Sequence, residues 1–220
     1  GGFYSAQDAD SEGVEGKFFI WRPEDIVSIL GKDDGEIVNG YYGVTREGNF
    51  EGRSILHVQK DTATAASEYG VSEEELETLL RRSKAKLLEV RNQRVAPGLD
   101  DKVLSAWNGL MMRAFAEAGG ALGRSDYIEK ANQNAKFLLD VMVRDGRLLR
   151  TYRDGEAKLN GYLEDYAFVI DGLLSLHEVT LSQQWLQEAI TLGHAMVDLF
   201  WDDSQSQFYD TGRDHEELLV

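Results

Sequence analysis

The order of elements repeats along the second half of the chain, and this repeat constrains the fold more than any other feature. From Asp101 to Thr151, apolar periodicity predicts a helix, a short loop, a second helix and an extended segment; the same order recurs from Leu163 to Thr211. The period is about 58 residues, longer than that of common helical solenoids. Helix pairs of this kind bury their apolar faces against their neighbours. The repeat therefore predicts antiparallel helical hairpins that curl around an axis and are joined by short β-type links.

Apolar residues at helical spacing mark the faces that we expect to be buried. The first helix of the repeat, which Asp100 or Asp101 would cap, has a predicted buried stripe of Leu104, Trp107, Met111, Ala114, Phe115 and Ala118. Its partner, opened by Ser125, has Ile128, Ala131, Ala135, Leu138, Leu139 and Met142. The helix from Leu163 to about Val179 has Tyr166, Ala167, Ile170, Leu173 and Leu174.

Shorter elements precede the repeat. Pro23 lies at a predicted first helical position and Gly31 follows the last one, while Ser72 and Glu75 form a capping box for a long helix that should end before Pro97-Gly98. We expect these parts to be inserted between the main helices of a single domain over residues 1–220. Phe3-Tyr4-Ser5 would be the tail of a preceding unit, so we expect an excised piece of a longer protein.

Composition excludes several classes of partner. The formal charge is −16, from 23 basic and 39 acidic residues, which repels phosphate backbones and anionic lipid. We therefore predict no nucleic acid and no membrane partner, and a neutral polyol or a cation fits better. No apolar run is long enough to span a membrane, so the sequence predicts a soluble, cytoplasmic protein. The absence of Cys excludes disulfides and thiolate chemistry.

The best candidate for a site is the stretch Leu159–Ala167, where an extended segment turns into an apolar helix. Glu164 and Asp165 lie in the first turn of that helix, where free amides and the helix dipole favour negative charge. Two interpretations stay open for this pair. The acids either complement the dipole of the helix or serve a binding or catalytic role.

Five motifs in order resemble the YyaL-type, spermatogenesis-associated thioredoxin-domain family. They are Gly2–Gly13, Glu15–Trp21, Asp100–Leu104, Trp107–Leu110 and Gly161–Ala167, spread over nearly the whole chain. The resemblance implies a parent with a thioredoxin-like domain followed by an (α/α) toroid similar to N-acylglucosamine 2-epimerases and six-hairpin glycosidases. This chain resembles the later part of that toroid, so the expected fold class is all-α, a partial (α/α) toroid. Without the thioredoxin-like domain, no redox activity carries over.

Neither a metal nor a cofactor is predicted. Asp8, Asp10 and Glu12, followed by Gly13, imitate the first half of an EF-hand loop, but Phe19 occupies the position at which the loop needs a bidentate Glu. The acidic loop could instead hydrogen-bond backbone amides or line a cleft. Gly16-Lys17 lacks the context of a phosphate-binding loop, and no dinucleotide-binding glycine pattern follows a strand.

The chemistry that we expect is that of a carbohydrate. Glycoside hydrolysis needs two carboxylates roughly 5 to 9.5 Å apart, and the candidate catalytic residues are Glu164, Asp165 and Asp101. The candidate substrate-binding residues are Asp8, Asp10, Glu12, Trp107, Asn108 and Tyr162. Aromatic residues at such spacings are alternatively core residues. His177 and His194, which an epimerase could use as acid and base, are expected to be structural.

Two classes of function remain open at this point. The first is a carbohydrate-processing or carbohydrate-binding domain, with sugar isomerisation, epimerisation or hydrolysis by cleft carboxylates. The alternative is a non-catalytic binding or protein-interaction module attached to a thioredoxin-like domain. We expect the Glu164 end of its helix, the Asp8–Glu12 loop and the Trp107-Asn108-Gly109 region to converge on one concave surface. We also expect an unfinished toroid edge, through which the chain forms a homodimer.

Overall fold

The computed structural model describes residues 1–214 and groups them into two compact units. The hairpin unit comprises Gly1–Ala6 and the chain from Asp100 onward, and the inserted unit comprises Gln7–Leu99. The chain leaves the hairpin unit after Ala6 and returns at Asp100, where the Ser5 amide donates to the Asp100 carbonyl at 3.2 Å. The expectation that both belong to a single domain stays a prediction.

Helices dominate the described chain. They are α1 (Pro23–Leu30), α2 (Lys32–Tyr41), α3 (Thr62–Tyr69), α4 (Glu73–Arg91), α5 (Ser105–Leu122), α6 (Ser125–Phe137), α7 (Leu163–Thr180) and α8 (Gln183–Phe200). The strands are β1 (Ala6–Gln7), β2 (Asp10–Ser11), β3 (Val14–Glu15), β4 (Leu99–Asp100), β5 (Val103–Leu104), β6 (Val143–Arg144), β7 (Arg147–Arg153), β8 (Glu156–Asn160), β9 (Trp201–Asp202) and β10 (Gln207–Phe208).

The inserted unit packs α1 to α4 around its own core. Ser72 and Glu75 form the predicted capping box of α4, and α1 begins at Pro23 as predicted. Helix α3 was not predicted, although Asp61 caps its first turn and Gly70, in the left-handed conformation, ends it. The core of this unit consists of Trp21, Ile26, Val38, Tyr41, Val44, Ala65, Ala66, Leu76, Leu80 and Leu87.

The hairpin unit contains the two predicted helical hairpins. Helices α5 and α6 are joined at Gly123, and α7 and α8 are joined at Leu181, both in the left-handed conformation that ends a helix. A π-helical turn, Leu138–Met142, follows α6. Strand β7 pairs antiparallel with β5, β6 and β8, and Asp154-Gly155, a typical turn sequence, connects β7 to β8. These features confirm the predicted fold class, all-α with a partial (α/α) toroid of antiparallel helical hairpins.

Helices α5 and α7 run parallel and in register with the repeat. The Ala106 amide donates to the Asp165 carboxylate, 59 residues further along the chain, and Arg113 pairs with Asp171, 58 residues away. The helices approach closely because Gly109 carries no side chain; a Cβ there would lie 2.5 Å from the Phe168 carbonyl carbon. The predicted period of about 58 residues thus appears as the offset between two neighbouring helices.

The predicted start and buried face of α5 are wrong. The helix begins at Ser105 rather than after Asp100 or Asp101, because Val103 and Leu104 pair with β7 as a strand. Its buried residues are Ser105, Ala106, Asn108, Gly109, Met112, Ala116 and Gly119, whereas Trp107 and Met111 are exposed. Small residues face α7 and permit the close approach, so the large residues of the sequence stripe point away from it.

The core of the hairpin unit lies between the four helices and the β7 sheet. Its largest fully buried side chains include Tyr166, Phe200, Met112, Leu138, Met142, Leu148, Leu173 and Leu176. The inward positions predicted for Ala131, Ala135, Leu138 and Met142 are confirmed. In α7, Tyr166 and Leu173 are buried as predicted, but Ala167 and Leu174 are exposed. Within residues 1–214, none of the helices has the length and apolar character required to cross a bilayer.

Candidate functional site

Asp165 lies at the point where the N-termini of α5 and α7 meet. Its carboxylate is fully buried and accepts hydrogen bonds from the Ala106 amide at 3.0 Å and the Tyr162 amide at 2.9 Å. Arg150, on β7, donates to it at 2.8 Å. One side chain therefore satisfies free amides at the start of two helices, which is a capping role extended to a neighbouring helix.

The electrostatics of Asp165 reflect its burial. Desolvation raises the pKa of this carboxyl above its ordinary value, and the Tyr162 amide, Arg150 and the Ala106 amide oppose that rise. Burial lowers the pKa of the Arg150 guanidinium, but Asp165 and Glu164 outweigh this effect and raise the pKa overall. The buried acid and the partly exposed arginine therefore form an ion pair at the N-terminus of α7.

Arg150 also joins Glu164 and Tyr162. It donates to Glu164 at 2.9 Å, and its guanidinium lies 4.5 Å from the centre of the Tyr162 ring. The side chain of Glu164 is about half exposed, at 48%, unlike that of Asp165. Glu164 and Asp165 thus both pair with Arg150, Asp165 from the protein interior and Glu164 from the surface.

Asp101 has a different arginine partner. Arg153 Nε lies 2.7 Å from Asp101 Oδ1, and Lys102 pairs with the neighbouring Asp100 at 3.0 Å. All three candidate catalytic carboxylates, Glu164, Asp165 and Asp101, are consequently paired with arginines of β7. Their catalytic role stays a prediction.

Trp107 and Asn108, the candidate binding residues of α5, have opposite environments. Asn108 is buried; its oxygen accepts from the Phe3 amide at 2.7 Å and from Asn134 at 2.8 Å. Its nitrogen donates to the carbonyls of Phe3 and Leu104. Asn108 therefore anchors the N-terminal segment to α5, whereas Trp107 is 51% exposed.

An open groove lies beside Trp107 in the hairpin unit. It has a volume of about 510 Å³ and is lined by Phe3, Tyr4, Ser5, Trp107, Asn108, Leu110 and Met111. Tyr4 is 61% exposed, and the Phe3 ring stacks on Phe115 at 5.3 Å, which fixes the backbone beneath Tyr4. The groove is accordingly a mainly apolar surface bordered by two aromatic rings.

The Asp8–Glu12 loop belongs to the inserted unit. The carboxylate of Asp8 accepts from the Asp10 amide at 3.1 Å, and Glu12 pairs with Lys17 at 2.7 Å. Its second half contains β2, which pairs with β3 in a hairpin whose turn residues, Glu12 and Gly13, both have positive φ. The described residues contain no group of three His, Asp or Glu side chains placed to hold a metal ion. The convergence of this loop with Glu164 stays a prediction.

Sequence reasoning missed Arg150 and Arg147, the basic residues that organise this end of the hairpin unit. Arg147 donates to the Tyr166 hydroxyl at 2.9 Å and pairs with Asp214 at 2.8 Å. Both arginines lie in the segment predicted to be extended, and since they are three positions apart they lie on opposite faces of β7. Tertiary packing brings β7 close to the N-terminus of α7. The acidic partners of Arg147 and Arg150 could therefore not be predicted from their spacing in the sequence.

The described histidines lie in different environments. His177 Nδ1 lies 2.8 Å from the Ser182 carbonyl at the end of α7, which agrees with the structural role expected for it. His57 lies in a surface cluster with Asn49 and Gln59. His194 is exposed on α8, and His215 lies outside the described residues.

Comparison with known proteins places the chain in a family. It is 34% identical over 95% of its length to spermatogenesis-associated protein 20 of Homo sapiens, and 35% identical over 92% to the Mus musculus protein of the same name. The chain belongs to the spermatogenesis-associated protein 20 family. It spans about a third of these relatives, 31% and 30% of their lengths. An uncharacterised protein of Caenorhabditis elegans is 28% identical over 92% of the chain. No family model matches.

Two solved structures with partial likeness to this family member are a sugar epimerase and a glucuronyl hydrolase. Cellobiose 2-epimerase from Bacillus thermoamylovorans aligns with 86% of this chain and 59% of its own, at 11% identity and a TM-score of 0.48. Unsaturated glucuronyl hydrolase from Bacillus sp. GL1 aligns with 70% of this chain and 48% of its own, at 18% identity and a TM-score of 0.45. At TM-scores below 0.5, these likenesses assign no activity to the chain.

Proposed function

We propose that the hairpin unit binds a neutral carbohydrate in the groove between Tyr4 and Trp107, without acid–base chemistry from Glu164, Asp165 or Asp101. One observation carries the proposal. Two exposed aromatic rings border a cavity of about 510 Å³, while the predicted carboxylates are already paired with arginines. The volume lies within the range of small-molecule sites.

The rings suit a sugar because each combines an apolar face with a polar edge. Sugar rings present C–H groups on their faces, which pack on indole and phenol rings, and hydroxyls on their rims. The Trp107 indole N–H and the Tyr4 hydroxyl have no hydrogen-bond partner in the part of the chain that the structure describes. Both groups are therefore available to the hydroxyls of a stacked ligand.

The environments of the three predicted catalytic carboxylates favour sugar binding over sugar hydrolysis. A glycosidase needs one carboxylic acid to protonate the leaving group and a second carboxylate to face the sugar. Asp165 is fully buried and holds two helix amides and Arg150. Glu164 and Asp101 each pair with an arginine of β7, at 2.9 and 2.7 Å, so either carboxylate would have to leave that arginine before it could face a sugar.

Titration with cellobiose and maltose, followed by NMR of the Trp107 indole N–H, tests the proposal. We expect saturable shifts of that signal, and about a fivefold loss of affinity in Trp107→Leu, because removing a stacking ring costs on the order of 1 kcal/mol. Trp201→Leu is the matched control, since Trp201 lies at the far end of α8, contacts the Phe208 ring edge-on and is only partly exposed. It should bind as the unsubstituted protein does.

The same titration can contradict the proposal in two ways. Unchanged Trp107 signals at about 10 mM of either sugar would remove the binding site. Release of glucose that disappears in Glu164→Gln would instead favour the enzymatic interpretation, with Glu164 as a reacting carboxylate.

A protein-interaction module is the second candidate, favoured by the apolar continuation of the groove. Leu110 and Met111 are 42% and 38% exposed on the same face of α5 as Trp107. Exposed apolar residues at helical spacing are typical of a surface that receives another helix. Such a module could be attached to a thioredoxin-like domain in the parent protein, as the family resemblance implies.

A further inference from the structure

The inserted unit contains a second pocket, formed by residues of that unit alone. It has a volume of about 560 Å³ and lies between the β2–β3 hairpin, α1 and the end of α4. Its apolar wall includes Phe18, Ile20 and Trp21, all buried, and Ile29 of α1. The pocket is thus large enough for a small organic molecule and offers it an apolar wall.

Arg94 is held rigidly at this pocket. Its Nη1 donates to the carbonyls of Phe18 and Ile20, both at 2.9 Å, and its guanidinium stacks over the Trp21 ring at 4.0 Å. Trp21 itself is only 3% exposed, so the platform is fixed. Because Nη1 makes these bonds, Nη2 and Nε keep donors for another acceptor. A guanidinium that is already oriented loses little entropy on binding.

Arg94 carries a charge that the described residues do not neutralise by an ion pair. Burial lowers the pKa of its guanidinium; Asp25 opposes this shift, whereas Arg91 and Arg53 reinforce it. Arg53 also lines the pocket and, like Arg94, forms no ion pair with a carboxylate among residues 1–214. Two unpaired arginines around one cavity are unexpected in a chain with a formal charge of −16.

The acids of the pocket limit how much negative charge it can accept. Glu12 and Lys17 neutralise each other at 2.7 Å. The remaining acid is Asp25, one oxygen of which accepts from the Arg22 amide at the start of α1. With Arg53 and Arg94 opposed by Asp25 alone, the site complements one negative charge better than two.

We propose that this pocket binds a small organic monocarboxylate, with the carboxylate on the fork of Arg94 and near Arg53, and the apolar body against Phe18, Ile20 and Ile29. Arginine matches a carboxylate with two parallel hydrogen bonds, which gives geometric selectivity as well as charge complementarity. The proposal is independent of the carbohydrate groove, because the two sites lie in different units.

Benzoate is the probe, benzamide its uncharged counterpart and phenyl phosphate its doubly charged one. Titrations of the full chain at low salt, followed by calorimetry and Trp21 fluorescence, should show benzoate binding at one site. We expect benzamide and phenyl phosphate to bind at least about tenfold more weakly, and added salt to weaken benzoate binding. Equal binding of benzamide would refute the charge requirement, and tighter binding of phenyl phosphate would refute the carboxylate class.

Substitutions locate the site. Arg53→Gln should weaken benzoate about tenfold, whereas Arg81→Gln, an exposed arginine of α4, should leave affinity unchanged. Arg94→Lys retains the charge but loses the fork, and should weaken benzoate more than it weakens acetate. Because Arg94 also anchors two carbonyls, Arg53→Gln keeps the test valid if Arg94→Lys unfolds. Benzoate affinity that survives Arg53→Gln overturns the proposal.

Discussion

The carboxylate of Asp165 caps the backbone of Ala106, which lies 59 residues earlier in the chain. This single 3.0 Å hydrogen bond joins the start of α7 to the start of α5, so the N-termini of the two parallel helices lie side by side. A free amide at one helix start is thereby satisfied by the first turn of the next helix. The family motif Gly161–Ala167 accordingly contains a residue that sets the register between repeats.

Replacing Asp165 with Asn should destabilise the hairpin unit. Each oxygen of Asp165 accepts from one backbone amide, so the Asn side chain, with one oxygen, can keep only one of these two bonds, and Arg150 loses its buried carboxylate partner. We expect a loss of about 2 to 3 kcal/mol in the free energy of unfolding, measured by urea denaturation. Asp171→Asn, which removes an exposed partner of Arg113, should cost less than about 1 kcal/mol. Equal losses in both variants would contradict the capping role.

The stability difference between the unsubstituted protein and Asp165→Asn should depend on pH. Because burial raises the folded-state pKa of Asp165 above its ordinary value of 3.8, the folded state binds the proton more tightly than the unfolded state. The contribution of this proton is fully present below pH 3.8 and is lost as pH rises through the folded pKa. Denaturation of both proteins across this window should show the unsubstituted protein losing its relative advantage with rising pH. The opposite slope would mean that Arg150 and the amides outweigh burial.

Alanine at position 109 should disrupt the approach of α5 to α7. The added Cβ would lie 2.5 Å from both the carbon and the oxygen of the Phe168 carbonyl, which is backbone and cannot rotate away. We expect a loss of about 1 to 3 kcal/mol in thermal or urea unfolding. Gly193→Ala is the matched control, because a Cβ there has nothing within 4 Å. Higher helix propensity should stabilise that variant by about 0.5 to 1 kcal/mol.

The exposed face of α5 should govern self-association, if the expected homodimer forms. Trp107, Leu110 and Met111 present an apolar surface at helical spacing. Leu110→Lys should then shift light scattering over a concentration series from dimer to monomer, because a charge opposes burial of the patch. Val58→Lys, at a 60% exposed position of the inserted unit, should leave the oligomeric state unchanged. A strictly monomeric unsubstituted protein would refute the homodimer.

Local signals predicted most helices, because periodicity and caps act within a few residues. Pro23, the Ser72–Glu75 box and the Asp154-Gly155 turn each specify backbone geometry directly. The face of α5 was mispredicted for a physical reason. Large apolar residues usually mark the buried face of a helix. In α5 the buried face instead contains Gly109 and Ala116, because close packing of two helices favours small side chains.

The candidate site was predictable in position but not in its partners. The first-turn location of Glu164 and Asp165 follows from the helix start, and the dipole alternative weighed for them matches the capping bonds of Asp165. Arg150 approaches these acids only through the pairing of β7 with β8 and the turn into α7. Such long-range pairing leaves no signal in local spacing, so neither the ion pair of Asp165 with Arg150 nor the burial of Asn108 could be predicted.

The hydrogen bond from Ser5 to Asp100 has a thermodynamic consequence for the hairpin unit. It holds together the points where the chain departs and returns, so residues 7–99 form, from the viewpoint of that unit, one closed loop. The entropic cost of closing a loop grows only with the logarithm of its length, by about 0.6 kcal/mol for each doubling. If the loop is a folded unit whose own ends lie close together, as here, this cost is smaller still. Lengthening or shortening the inserted unit would therefore leave the stability of the helical hairpins almost unchanged.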